Sequence, residues 1–188
     1  MSNFLYVLPI ISVVLLASAR GLEIFTQKQG RVRGPVRENL TFWLFVLTGA
    51  VIAGGSILEY IFARHWFSWG VFALGWALGI VSFFIRNSAI AALGRFWSLH
   101  VEIRENHEFV RSGPFRFVRH PVYFSMILEL LAFALVCCAW VMVLVIPVIF
   151  VPVLLMRVRL EEAALIEKFG PAYEEYRHTT PAIFPRPW

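Results

Sequence analysis

Between Phe124 and Met156 lie 33 consecutive residues whose single charge is Glu129. One straight helix of that length would reach about 50 Å, well past a bilayer hydrocarbon core of about 30 Å. The run therefore predicts two short membrane spans joined by a tight turn near Cys138–Trp140. Pro147 and Pro152 fall in the second span and bend it, a break that neighbouring helices tolerate by satisfying the freed carbonyls. Three further apolar runs precede it: Phe4–Ala19, Leu40–Phe62 and Phe67–Ile85. The first ends on Ala17-Ser18-Ala19, the small-residue pattern of a signal-peptidase site. No Lys or Arg precedes that run and the basic residues follow it, so it reads as a retained span. The expected fold class is an all-α integral membrane protein of about five transmembrane helices. It forms a single membrane domain, with a three-span part over residues 1–92 and a part richer in polar groups over residues 93–188.

Composition excludes the soluble alternative. Charged residues make up 15% of the chain and mean hydropathy is +0.71, whereas a soluble domain carries about 25% charged residues. The net charge of +5 would ordinarily raise the question of nucleic acid. Beside apolar spans, however, positive charge is first a topology signal. Arg20, Lys28, Arg31, Arg33 and Arg37 follow the first span. Arg86, Arg95, Arg104, Arg111, Arg116 and Arg119 lie between the third and fourth, and Arg157, Arg159, Lys168, Arg177 and Arg186 follow the fifth. With five spans all three groups fall on one side and only Arg64 lies opposite. The positive-inside rule then puts the N-terminus outside and the C-terminus in the cytoplasm. Cys137 and Cys138 are adjacent within an apolar run, so no disulfide framework or metal spacing exists and no metal is expected. Ala50 with Gly54, and Gly75 with Gly79, place small residues four apart on spans two and three, where they permit close helix approach.

The polar chemistry gathers in two stretches on the basic side, Gly94–Tyr123 and Arg157–Arg177. In the first, Ser112-Gly113-Pro114 is a turn, and Arg119-His120-Pro121 stands at the mouth of span four. Pro121 suits the first turn of a helix, where its missing N–H is not needed. In the second, Arg157 and Glu161 share a helix face, as do Arg159 and Glu162. Adjacent Glu161 and Glu162 diverge by about 100°, so only one is expected to face a given pocket. Gly170-Pro171 ends that helix, and Tyr173 and Tyr176 share a face of the short helix after it. Glu129 stands about 12 Å inside span four by helix rise. An intramembrane carboxylate is a functional candidate, and a bond to a neighbouring helix is its structural alternative.

Together these two stretches resemble the isoprenylcysteine carboxyl methyltransferase family, over roughly Leu93 to Phe184. The features are Gly113-Pro114-Phe115-Arg116, Arg119-His120-Pro121-x-Tyr123, Arg157-x-x-x-Glu161-Glu162, Phe169-Gly170-x-x-Tyr173-x-x-Tyr176 and Ile183-Phe184-Pro185. His100 and His107 also fall where the family has histidines. Two positions depart: Ser125 stands where glycine is common after the Tyr-x pair, and Phe115 where tyrosine is common.

The resemblance implies S-adenosylmethionine as cofactor, held without a Rossmann domain between the loop before span four and the helix after span five. It implies cofactor contacts from His100, Arg119, His120, Pro121, Tyr123, Glu161, Glu162 and Tyr173. Catalytic roles fall to Arg157, Glu161 and His107, the last as a base should the acceptor be an amine. The acceptor is expected to be lipophilic or prenylated and to enter from the bilayer. It would be an isoprenylcysteine-like carboxylate, a thiol or a phospholipid amine, and no obligate protein partner is evident. An NADPH-dependent membrane reductase of the sterol type, or a non-enzymatic membrane scaffold, are the competing classes. Against the reductase, a phosphate-rich cofactor favours more Arg and fewer carboxylates than Arg157 with Glu161 and Glu162 supply.

Overall fold

A computed structural model describes residues 3–26, 40–63, 67–94 and 110–185. Helices α1 (Asn3–Thr26), α2 (Leu40–Ala63) and α3 (Trp69–Leu93) are followed by a single tight turn at Gly113–Arg116 and by α4 (Pro121–Val136). Then come α5 (Trp140–Val145), a π-turn over Ile146–Phe150, α6 (Val151–Phe169) and α7 (Pro171–Thr179). No strand occurs among the described residues. Among the described residues, three helical rods are long and apolar enough to cross a membrane: Leu40–Ala63, Trp69–Leu93 and the continuous Trp140–Phe169. Tyr6–Leu22 and Pro121–Val136 are shorter apolar helices. Large apolar side chains such as Leu47, Leu58, Phe62, Phe84, Leu144 and Val148 face outward, as lipid-facing positions do and as a soluble surface does not.

The 33-residue run folds as the length argument requires. α4 ends at Val136, and Cys138 turns the chain with φ +50°. The Ala139 N–H donates to the Ala134 carbonyl at 2.8 Å across that turn. Both cysteines are buried there, in the turn between two helices. The N-terminus of α5 needs acceptors for its unsatisfied N–H groups. Glu59, near the far end of α2, supplies them, accepting from Val141 at 2.9 Å and Met142 at 3.1 Å. Downstream, Pro147 lies in the π-turn and Pro152 opens α6, so the irregularity sits where the prolines remove backbone donors.

α3 and α4 form the closest pair, and small residues allow it. A Cβ added at Gly75 would stand 2.7 Å from the Val136 backbone nitrogen, and one at Gly79 would stand 3.0 Å from Leu16. Those two glycines serve close approach as expected. The Ala50–Gly54 pair does not: Gly54 faces open space, and Gly55 meets Met142 instead. The buried stripe of α3 continues through Ser82, whose hydroxyl donates to the Ser125 carbonyl at 2.7 Å, to Arg86. Arg86 was expected in the loop after Ile85. It lies inside α3, two turns before the helix ends, because its guanidinium pairs with Glu129 of α4.

Candidate active site

Trp140–Phe169 spans about 45 Å by helix rise, so its C-terminal turns overshoot the hydrocarbon and carry Arg157, Glu161 and Glu162 toward the interface. α4 begins at the same level. Its entry is anchored by strand-like contacts to the C-terminal segment: Arg119 N–H donates to the Pro181 carbonyl and His120 N–H to that of Ala182, each at 2.9 Å. The Arg119-His120-Pro121 segment is thereby fastened against residues more than 60 positions later in the chain.

His120 is 5% exposed and its ring lies between the two adjacent carboxylates. Nε2 is 3.1 Å from Glu162 Oε1, and Nδ1 is 3.8 Å from Glu161 Oε2. The 100° divergence of neighbouring helical residues was expected to admit one glutamate only. Both reach because the two ring nitrogens point in different directions, so one imidazole spans the gap. Glu162 is the more buried and the more firmly held. Arg119 reaches it through Nε at 2.8 Å and Nη2 at 2.6 Å, and Arg119 Nη1 also donates to the carbonyls of Arg177 and Thr180. Arg119 thus ties α6 to the end of α7. Glu161 is more exposed and also interacts with the Tyr123 hydroxyl.

Tyr123 stacks on His120, with ring centroids 5.6 Å apart and planes 21° from parallel. Its hydroxyl accepts from Arg157 Nε at 3.1 Å. Arg157 is 3% exposed and lies over the rings of Phe42 and Phe45 from α2, where aromatic faces stabilise a buried cation. Tyr173 completes the cluster at 2% exposure. Burial pushes its hydroxyl well above the usual tyrosine range, and the Glu162 and Glu161 carboxylates add to the shift. It therefore stays protonated and able to donate. Tyr176 is held at the base of α7 by donation to the Phe115 carbonyl and by Arg111 over its ring at 5.4 Å. Arg111 also donates to the Ala172 carbonyl at 2.6 Å.

Behind Tyr123 and Arg157 opens a cavity of about 360 Å³. Phe42, Phe45, Val46, Met126, Leu130 and Phe133 supply its large apolar side chains, and Arg20 and Glu129 contribute from α1 and α4. Its aromatic wall from α2 was not foreseen from sequence, and a lone hydropathy profile carries no signal for it. The expected site residues Arg119, His120, Pro121, Tyr123, Arg157, Glu161, Glu162 and Tyr173 thus converge on one place. His100 and His107, like Arg95 and Arg104, lie outside the described residues.

These features define an all-helical integral membrane protein with a charged cluster at the mouth of an apolar cavity. The family model for isoprenylcysteine carboxyl methyltransferases matches residues 71–167, and the chain belongs to that family. The match begins within α3, earlier than the Leu93 expected from motifs alone, and ends within α6, before Tyr173. Among individual proteins, the chain is 32% identical over 99 residues to the cobalt-zinc-cadmium resistance protein CzcN of Cupriavidus metallidurans, covering 52% of this chain and 45% of that one. It is 24% identical to the uncharacterized protein YpbQ of Bacillus subtilis, over 84% of this chain and 95% of that one. It is 26% identical to the protein-S-isoprenylcysteine O-methyltransferase of Schizosaccharomyces pombe, over 77% of this chain and 66% of that one. The chain therefore spans about half of CzcN and just under two thirds of the yeast enzyme, but nearly all of YpbQ.

Proposed function

We propose that this protein is an S-adenosylmethionine-dependent methyltransferase for a lipophilic acceptor that enters from the bilayer. The observation that carries this reading is that Tyr123 and Arg157 border two unlike spaces at once. On one side is the polar cluster of His120, Glu161, Glu162 and Tyr173, and on the other the apolar cavity. A transferase needs such a boundary, where a polar donor and an apolar acceptor meet.

The residues present fit the cofactor. Two carboxylates and two aromatic rings suit a cationic group bearing an amine and hydroxyls. A nicotinamide cofactor would bring its phosphates against Glu161 and Glu162, which disfavours the reductase reading. When bound, S-adenosylmethionine supplies an electrophilic methyl group on a sulfonium. The remaining work is positioning and water exclusion. Arg119 fixes Glu162, leaving Glu161 as the carboxylate with room to accept from the cofactor. Tyr173 offers a protonated hydroxyl and Tyr123 a ring face. Arg157 orients an anionic acceptor at the mouth of the cavity, whose apolar walls keep water away. A carboxylate or thiolate acceptor requires no base in this arrangement. The five-span topology, with the site on the cytoplasmic face of a prokaryotic inner membrane and the N-terminus outside, follows from the same reading and from the basic residues around the site.

Thermal unfolding of the detergent-solubilised protein with S-adenosylhomocysteine, run beside NADPH, tests the proposal. At about 100 times its dissociation constant a ligand stabilises by roughly 2.7 kcal/mol. A rise with S-adenosylhomocysteine that Glu161→Ala and His120→Ala both abolish supports it. A rise with NADPH alone moves the protein to the reductase class, and a response to neither favours the scaffold.

A further inference from the structure

The cavity wall is not hydrocarbon alone. Glu129 contributes to it about 9 Å further along the α4 axis than Tyr123, by helix rise. Behind Glu129, on the protein side, Arg86 donates from Nη1 at 2.6 Å and from Nη2 at 3.4 Å. The arginine side chain is 4% exposed and the glutamate 13%, and Arg86 does not line the cavity. The carboxylate is therefore the edge of the pair that the cavity meets. A carboxylate has roughly four lone-pair sites, and the two donors from Arg86 do not saturate it.

Stability does not explain the pair. Taking two charges out of water is costly, and replacing a buried pair by apolar side chains of similar volume is often neutral or stabilising. The α3–α4 contact is already secured by the close approach at Gly75 and by the Ser82–Ser125 bond. What a carboxylate at this depth adds is recognition, because a polar group in an apolar wall discriminates strongly between ligands that satisfy it and ligands that do not.

We propose that Glu129, oriented by Arg86, is a specificity-determining residue. In this proposal the cavity takes a single-chain lipophile that carries a hydrogen-bond donor about 9 Å, six residues of helix rise, from the end held at Tyr123 and Arg157. The volume, about 360 Å³, lies near the lower end of the range for small-molecule sites and accommodates one such chain. This rests on the cavity being the acceptor side of the proposed methyltransferase.

The test uses three ten-carbon alkyl thioether carboxylates: one plain, one with a hydroxyl about seven carbon atoms along, matching the helix-rise distance, and one with a methyl ether there. Their binding to the purified full-length protein is measured by isothermal titration, with the S-adenosylhomocysteine thermal shift as a separate readout. The expected result is that wild type binds the hydroxyl probe about tenfold or more tighter than the ether, as a charge-assisted hydrogen bond allows. The Arg86→Leu/Glu129→Leu double variant should bind the two alike and keep its S-adenosylhomocysteine shift. Glu129→Gln, which keeps the shape and loses the charge, should reduce the preference if the double variant does not fold. Equal binding of hydroxyl and ether probes by wild type, or binding of neither, overturns the inference, whatever the cofactor arm shows. A hydroxyl preference without any S-adenosylhomocysteine shift would uphold the site and remove the methyltransferase reading instead.

Discussion

Two buried Arg–Glu pairs join distant segments among the described residues, and they are alike in type. Arg86–Glu129 and Arg119–Glu162 each join residues 43 positions apart, each close to 2.6 Å, and each is largely buried. Their surroundings differ. The first stands within the apolar layer between α3 and α4, where, among the described residues, Glu129 accepts its hydrogen bonds from Arg86. The second lies at the interface in a network with His120, Glu161 and the carbonyls at the end of α7. A pair within the apolar layer has its desolvation offset mainly by its own attraction and hydrogen bonds. A networked pair spreads its desolvation over several hydrogen bonds and can build a site.

The largest expected effect is therefore at the Arg86–Glu129 pair. Glu129→Ala removes the carboxylate paired with Arg86 while the guanidinium stays buried, and should destabilise by about 3–5 kcal/mol. Thermal unfolding in detergent measures it, and the double leucine variant should recover most of the loss. A single variant within about 1 kcal/mol of wild type would mean that water already reaches the pair. Glu162→Ala should cost less stability, about 1.5–3 kcal/mol for its charged hydrogen bonds, but should remove S-adenosylhomocysteine binding, which Glu129→Gln should not.

Gly75→Ala probes the scaffold of the first pair. Its new methyl would press on the Val136 backbone and should cost about 1–3 kcal/mol by overpacking, whereas Gly54→Ala, facing open space, should be close to neutral. Smaller still, Tyr176→Phe removes the donor to the Phe115 carbonyl and should cost about 1 kcal/mol. Burial pushes the Tyr176 hydroxyl up to about 12, with Arg119 and Arg111 opposing. Because its protonated form is the one the fold favours, this contribution is complete below the ordinary tyrosine value of about 10. It is lost as pH rises from there toward 12. Unfolding profiles of wild type and Tyr176→Phe should converge across that alkaline window.

The apolar helices were readable because hydropathy is local. An uncharged run too long for one helix has to turn, and it turns at Cys138. The grouping of Arg119, His120, Tyr123, Arg157, Glu161, Glu162 and Tyr173 was legible through the family resemblance, because Arg119-His120-Pro121 and Arg157-x-x-x-Glu161-Glu162 each place their groups at fixed offsets on one helix end. Arg86 was misassigned to a loop because an arginine after an apolar run ordinarily marks its end. Nothing within α3 itself announces a carboxylate on α4. The same holds for Gly54, whose spacing from Ala50 is right but whose face is wrong.

The sequence by itself determined an all-helical membrane chain, the apolar helices and turns, and which residue types stand at the interface. Those depend on composition within a helix length and on backbone rules for proline and glycine. Only the tertiary structure decided that His120 joins both glutamates, that Arg119 is bound to Glu162, that Arg86 belongs to Glu129, and that Phe42 and Phe45 help wall the cavity. Each depends on how far one helix is rotated and shifted against another, and that is set by side-chain packing between segments distant in sequence.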